Sequence, residues 1–312
     1  MRQIAAVDGS RDQRPALPPT TPVPASLAAV LALTPAALGA TDVAVVNMRC
    51  AEGLPGAEHL DVLGCLATLD RWTDAVRRYT RDNADLYQHD PARYGHHEGF
   101  SKLVLMAVLL KRGIGVRYQP AAIGNMRFVD SRDDLLHGLL TRKLGTCTSL
   151  PVLCVAIGRR LGYPVHLAIA KGHVLCQWLN EDGSHVNFEV SSNDGDCDRF
   201  PDEHYHAWPK AMTADDLASG RYLRPLARAE ELALFLETRG HCLADNGRFD
   251  EAREAYAQAA RVAPMWSACE AHMRDVTLLE AQCRRRAKGD AFETALPLLP
   301  PASNIVGLGQ CP

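Results

Sequence analysis

The sequence predicts an α+β protein. Apolar residues recur at helical spacing through most of the chain up to residue 161. Three apolar, β-branched runs then follow in close succession, VHLAIA, HVLCQWL and HVNFEV (residues 165–170, 173–179 and 185–190), separated by turn-forming tracts. Helical periodicity returns from near Arg224, and helices set apart from a run of antiparallel-type strands define this class. With 312 residues, 47% of them hydrophobic, the chain can bury a large core and is long enough for two domains. A formal charge of -3 is close to balanced, which gives no electrostatic reason to expect a nucleic-acid partner.

Residues 1–25 carry Pro15, Pro18, Pro19, Pro22 and Pro24 and read as a flexible lead, with order expected from Ser26. The apolar stretch from Ser26 to Ala40 is too short to span a bilayer, contains Pro35 and follows an Arg-bearing lead, so it reads as a docking helix and no membrane association is expected. A helical flank over 26–130 follows from DVAVVNMRCAEGL, LDVLGCLATLDRWTDAVRRYT and HEGFSKLVLMAVLLKRG. The core, 131–223, opens with a helix over DDLLHGLLTRKLG and a second at Cys147. Pro151 lacks an N–H and belongs in a first helical turn, which puts the start of that second helix between Thr146 and Thr148. The NEDG tract then makes a hairpin turn that sets His173 and Glu189 on adjoining strands.

Over 224–296 the stretch from Glu231 to Pro264 places Gly240, Gly247, Ala252, Tyr256, Ala259 and Pro264 in the thirty-four-residue pattern of a tetratricopeptide helix hairpin. A single repeat cannot bury its apolar side, so MWSACEAHMRDVTLLEAQCRRRAKG is expected to add a covering helix, with Arg284, Arg285 and Arg286 on a solvated face. Residues 297–312 read as a tail. Its GLGQ does not lie between a strand and a helix, so it makes no phosphate loop.

The chemistry centres on Cys147. A thiol becomes a nucleophile on ionisation, which a helix N-terminus favours through its unpaired N–H groups and axial dipole. Gly145 and Thr146 permit a tight approach and a cap there. His173 is placed to take the thiol proton and Glu189 to orient the imidazole, with Asn187 as an alternative orienter and Thr146 and His137 as cleft residues. The N–H groups that favour the thiolate also suit the oxyanion of an acyl-transfer intermediate.

Other residues read as structural. The ten cysteines lack the dense spacing of a stapled secreted domain, which implies reduced thiols in a cytoplasmic protein; Cys154, Cys176 and Cys242 read as core. Cys147, Cys154, His173 and Cys176 carry zinc-type donors without the short paired knuckles of structural sites, so neither metal nor cofactor is expected. His96, His97, His204 and His206 follow no site pattern.

The stretch DSRDDLLHGLLTRKLGTCTSLPVLCVAIGRRLGYPVHLAIAKGHVLCQW resembles the transglutaminase-like superfamily of papain-like folds, in particular a bacterial branch whose core is followed by tetratricopeptide-type helices. NMRCAEGLPGAEHLD, FPDEHYHAWP and YLRPLARAEELALFLETRG extend the resemblance over roughly residues 26–270. It implies an N-terminal helical cap, a central helix on an antiparallel sheet, and a triad of Cys147, His173 and an acidic residue after the hairpin. Members of that superfamily commonly carry Asp as third member where this chain has Glu189, and relatives in the branch often lack the cysteine that this chain retains. The expectation is a cysteine-dependent acyl-transfer enzyme acting on amide bonds of a peptide or protein through a thioester, whether protease, amidase or amine transferase. The alternative is a catalytically silent protein-binding module, with the helical segment as the surface for a protein partner.

Overall fold

The computed structural model describes residues 23–122, 127–190, 197–264 and 268–287; the expected lead up to residue 22 and tail lie outside them. It combines many helices with small sheets. Helices α1 (Leu27–Leu31), α2 (Pro35–Ala40) and α3 (Val43–Arg49) are the first among the described residues. The Ser26 hydroxyl accepts the Ala29 N–H at 3.1 Å and caps α1. Helix α4 (Val62–Asp82) buries Val62, Cys65, Leu69, Trp72 and Val76, alternating steps of three and four that keep one stripe facing the core. After α5 (Asp85–His89), α6 (Glu98–Val108) runs into a wider turn over Leu109–Ile114 that stops at Gly115, whose φ of +89° suits only a residue without a Cβ.

The segment read as one helix over DDLLHGLLTRKLG is two, α7 (Ser131–Asp134) and α8 (Leu136–Arg142). Leu135 breaks them with ψ at 152°, and Asn47 of α3 then accepts the Leu136 N–H at 2.8 Å. A tertiary contact supplies the cap, so local periodicity could not mark the break. Strands β1 (Arg117–Tyr118) and β2 (Leu144–Gly145) pair in parallel on either side of this pair and are too short to show a period in sequence.

Helix α9 (Ser149–Arg160) starts directly after Thr148, at the edge of the expected window, with Pro151 in its first turn. It packs on an antiparallel sheet of β3 (Val165–Ala170), β4 (His173–Leu179) and β5 (His185–Phe188). Pairing runs Ala170↔His173 and Cys176↔Phe188, so Lys171 and Gly172 alone turn the first hairpin; the φ of +82° at Gly172 makes that turn possible. Val165, Leu167, Val174, Cys176 and Phe188 join the large core with α9. Ala168, Ala170 and Leu175 form a smaller apolar cluster on the opposite face with Tyr205 and Leu223. Tyr205 comes from α10 (Asp202–Ala207), which α11 (Ala214–Ala218) follows. The free edge of β3 is covered by the chain at Leu223 and Leu226, whose N–H groups bond Ile169 and Leu167 carbonyls at 2.9 and 2.8 Å.

Three helices are the last among the described residues: α12 (Arg228–Asp245), α13 (Phe249–Val262) and α14 (Ala268–Ala287). They are not set apart, since buried apolar residues form one cluster from Val30 to Val276. Arg159 of α9 grips the buried Glu231 of α12 with two hydrogen bonds, 3.0 and 2.5 Å, and its Nε donates to the Val165 carbonyl at 3.1 Å. Arg239 donates to the Cys50 carbonyl at 2.9 Å, docking α12 on the N-terminal helices.

Two glycines test this packing. A Cβ at Gly240 would lie 2.4 Å from the Tyr256 ring, whereas one at Gly39 would meet nothing within 4 Å. Gly240→Ala is expected to cost about 1–2 kcal/mol, overpacking outweighing the helix-propensity gain. Gly39→Ala is expected to stabilise by a few tenths of a kcal/mol up to about 1. Urea denaturation of both variants checks the contrast.

Candidate functional site

The loop ahead of α9 is held by one carboxylate. Asp134 Oδ1 accepts the hydroxyls of Thr146 at 2.9 Å and Thr148 at 3.0 Å, the two neighbours of Cys147. The Ser149 hydroxyl accepts the Thr146 N–H at 3.0 Å and donates to the Asp133 carbonyl at 3.1 Å. Cys147 is therefore fixed from both sides and is itself fully buried. Burial of Asp134 pushes its carboxyl up to about 7 against the opposing pull of the two threonine bonds, with Asp133 and Asp245 adding to the rise.

On the sheet, His173 opens β4 and Glu189 lies one residue past β5, where its backbone bridges to Asp198. His173 Nε2 meets both Glu189 oxygens, at 2.9 and 3.0 Å. A carboxylate only accepts, so Nε2 carries the proton and Nδ1 is the basic ring nitrogen. The Tyr205 hydroxyl donates to Glu189 Oε1 at 2.8 Å, and Trp208 packs against the imidazole with ring centroids 4.8 Å apart. Burial, reinforced by the Glu189 charge, raises Tyr205 well above its ordinary value and keeps it a donor. The expected imidazole–acid pair is thus formed, with its acid held by a second side chain.

Helix direction brings the Cys147 loop toward this pair. The Cys176 thiol donates to the Pro151 carbonyl at 3.4 Å, and a Cβ at Gly158 would touch Val165 at 2.5 Å. Val165 pairs with Trp178, so α9 runs away from His173 and its start points to the β3–β4 hairpin end. Strand alternation gives His173 the face of Leu175, opposite the Cys176 face that meets α9. The two faces meet at the hairpin end, where Ile169, Ala170, Gly172, His173 and Val174 border one cavity of about 90 Å³ together with Thr148. Lys171 at the hairpin tip is tied to Asp216 of α11 at 2.6 Å. Helices α12 and α14 also border it, through Glu237, Thr238, His241 and His272.

Three expected site residues take other places. Asn187 does not orient His173: it faces Gln177 across the ladder, accepting its amide at 2.8 Å, and donates to Asp202 at 2.6 Å. His137 lines a different cavity, with Gly56, Asp61 and Leu140, and burial lowers it to about 4. Thr146 clamps the loop, and Thr148 is the threonine that borders the cavity. Cys154 and Cys242 are buried core, as expected, and burial pushes each up to about 12. No disulfide joins any described cysteine. Cys147, Cys154, His173 and Cys176 do not converge as a ligand set; among the described residues the grouping of metal-type donors is Glu237, His241 and His272.

Sequence reasoning missed Asp134, Tyr205 and the α12–α14 wall. Asp134 acts twelve and fourteen residues away in sequence, and Tyr205 sixteen, with no motif to announce either. No helix among the described residues is long and apolar enough to cross a membrane. The chain matches no protein-family model, no curated protein and no solved structure.

The raised Asp134 carboxyl has a pH signature. Between its ordinary value of 3.8 and about 7 the folded state binds the proton and the unfolded state does not. Its contribution is therefore fully present below the lower value and lost as pH rises through the upper one. Asp134→Asn, which keeps an acceptor for the threonines, is expected to gain stability relative to the native protein between pH 4 and 7, by at most about 1.4 kcal/mol per pH unit. Taking the difference between the two proteins by urea titration removes the opposite trend from the buried histidines.

Proposed function

We propose that this chain is a transglutaminase-like cysteine enzyme that transfers an acyl group from an amide bond of a peptide or protein. The observation that carries the reading is the buried His173–Glu189 pair opening onto the cavity that Thr148, the neighbour of Cys147, also borders. In this reading the Cys147 thiol gives its proton to His173 Nδ1 and the sulfur attacks the amide carbon. The N–H groups at the start of α9 receive the oxyanion, an arrangement of a kind worth about 3 kcal/mol where measured by mutation. The protonated imidazole then hands its proton to the leaving amine, and the C–N bond breaks to leave a thioester. Water or a second amine resolves it, giving hydrolysis or amide transfer.

Glu189 serves as the orienting acid in this reading. It starts one residue beyond the Cys176↔Phe188 rung, and its extra methylene relative to Asp gives the reach that the diagonal to His173 requires. Tyr205 holds the same oxygen, so the carboxylate keeps its pose while the imidazole gains and loses charge.

One observation favours the second reading, a silent protein-binding module: Cys147 is wholly buried. Thiol alkylation separates the two. With iodoacetamide at pH 7, read by peptide mass spectrometry, Cys147 is expected to react at least about tenfold faster than Cys154 and Cys176, and His173→Ala to erase the difference. Equal rates for all three thiols in the native protein would discard the enzyme.

A further inference from the structure

The cavity that His173 lines is also bordered by a donor set that the acyl-transfer reading does not use. Glu237 and His241 stand four residues apart on α12 and so share one face of the helix. His272 reaches them from α14. One ligand atom from each lies within 4.8 Å of the others, and all three residues are buried. His272 Nε2 pairs with Glu237 Oε1, so these two donors already converge, and His272 is only 4% exposed. Two imidazoles and a carboxylate buried this close together bring three donor atoms within reach of one cation, which would bind them all at once.

We propose that Glu237, His241 and His272 form a binding site for a zinc ion, linking α12 to α14, with its fourth coordination position open to the cavity. The donors are two imidazoles and one carboxylate, the set that suits zinc with one position left for water. Zinc at 2.0–2.1 Å from each donor needs donor atoms roughly 3.3 Å apart, which small side-chain rotations achieve from the present spacing. An outer partner is in place as well. His241 Nδ1 lies 2.6 Å from the Tyr256 hydroxyl, and in the tautomer that donates to that oxygen Nε2 presents its lone pair. Tyr256 is in turn packed against Gly240, so the hydroxyl is rigidly held. The site uses neither Cys147 nor His173 and does not depend on the acyl-transfer reading.

The test uses the full chain, stripped with a chelator, mixed with excess zinc chloride and passed through gel filtration. About one equivalent of zinc is expected to remain by elemental analysis. Cobalt chloride in its place is expected to give a visible ligand-field band without the near-ultraviolet charge-transfer band of a thiolate ligand. Glu237→Gln and His272→Gln are each expected to weaken binding by tenfold or more, Tyr256→Phe by roughly tenfold, and Cys147→Ser not at all. Less than about 0.1 equivalent retained by the native protein, a thiolate band, or binding indifferent to Glu237 and His272 would overturn the site. The native cobalt spectrum decides the ligand class even where a variant fails to fold.

Discussion

A single buried carboxylate governs the geometry around Cys147. Asp134 ends α7, and its Oδ1 accepts the hydroxyls of the residues on both sides of the cysteine. The α7–α8 break at Leu135 serves this contact, because Asn47 of α3 caps α8 at the next residue and anchors the turn to the N-terminal helices. The N-terminal helical part is thus the support on which the loop before α9 is built. Charging Asp134 in that interior is unfavourable, which is why its hold on the loop and the stability of the fold share a pH dependence.

The hairpin end is where the sheet contributes. His173 and Cys176 sit on opposite faces of β4, and only past the last rung can a residue from the α9 side share space with the imidazole. The two-residue Lys171–Gly172 turn makes this end compact, and the Lys171–Asp216 pair fastens it to α11. On the far face Tyr205 and Trp208 close over the His173–Glu189 pair, so imidazole and acid are shielded from water. A low-dielectric setting strengthens their mutual attraction.

The helices α12, α13 and α14 are part of the same body. Arg159 joins α9 to α12 through Glu231, and Glu237, Thr238 and His241 of α12 face the cavity that holds His173. The helical segment therefore lines the same cavity as His173, and a change in the packing of α12 reaches that cavity directly. This arrangement also explains the buried polar residues on that helix, which an independent repeat would place in solvent or replace with apolar groups.

Residue order alone determined the three strands, the start of α9 and the His173–Glu189 pairing, because these rest on local periodicity and on a short hairpin whose register the turn dictates. The helix hairpin around Gly240 and Tyr256 was legible for the same reason: a small residue and a ring must meet at a set spacing. Asp134, Tyr205 and the cluster of Glu237, His241 and His272 were decided only by the tertiary structure. Each acts through side chains brought together by packing across many residues of chain, and a lone Asp, Tyr or His carries no periodic signal of its own. The same holds for Asn187, which strand alternation offered as a partner for His173 and which Gln177 and Asp202 claimed instead.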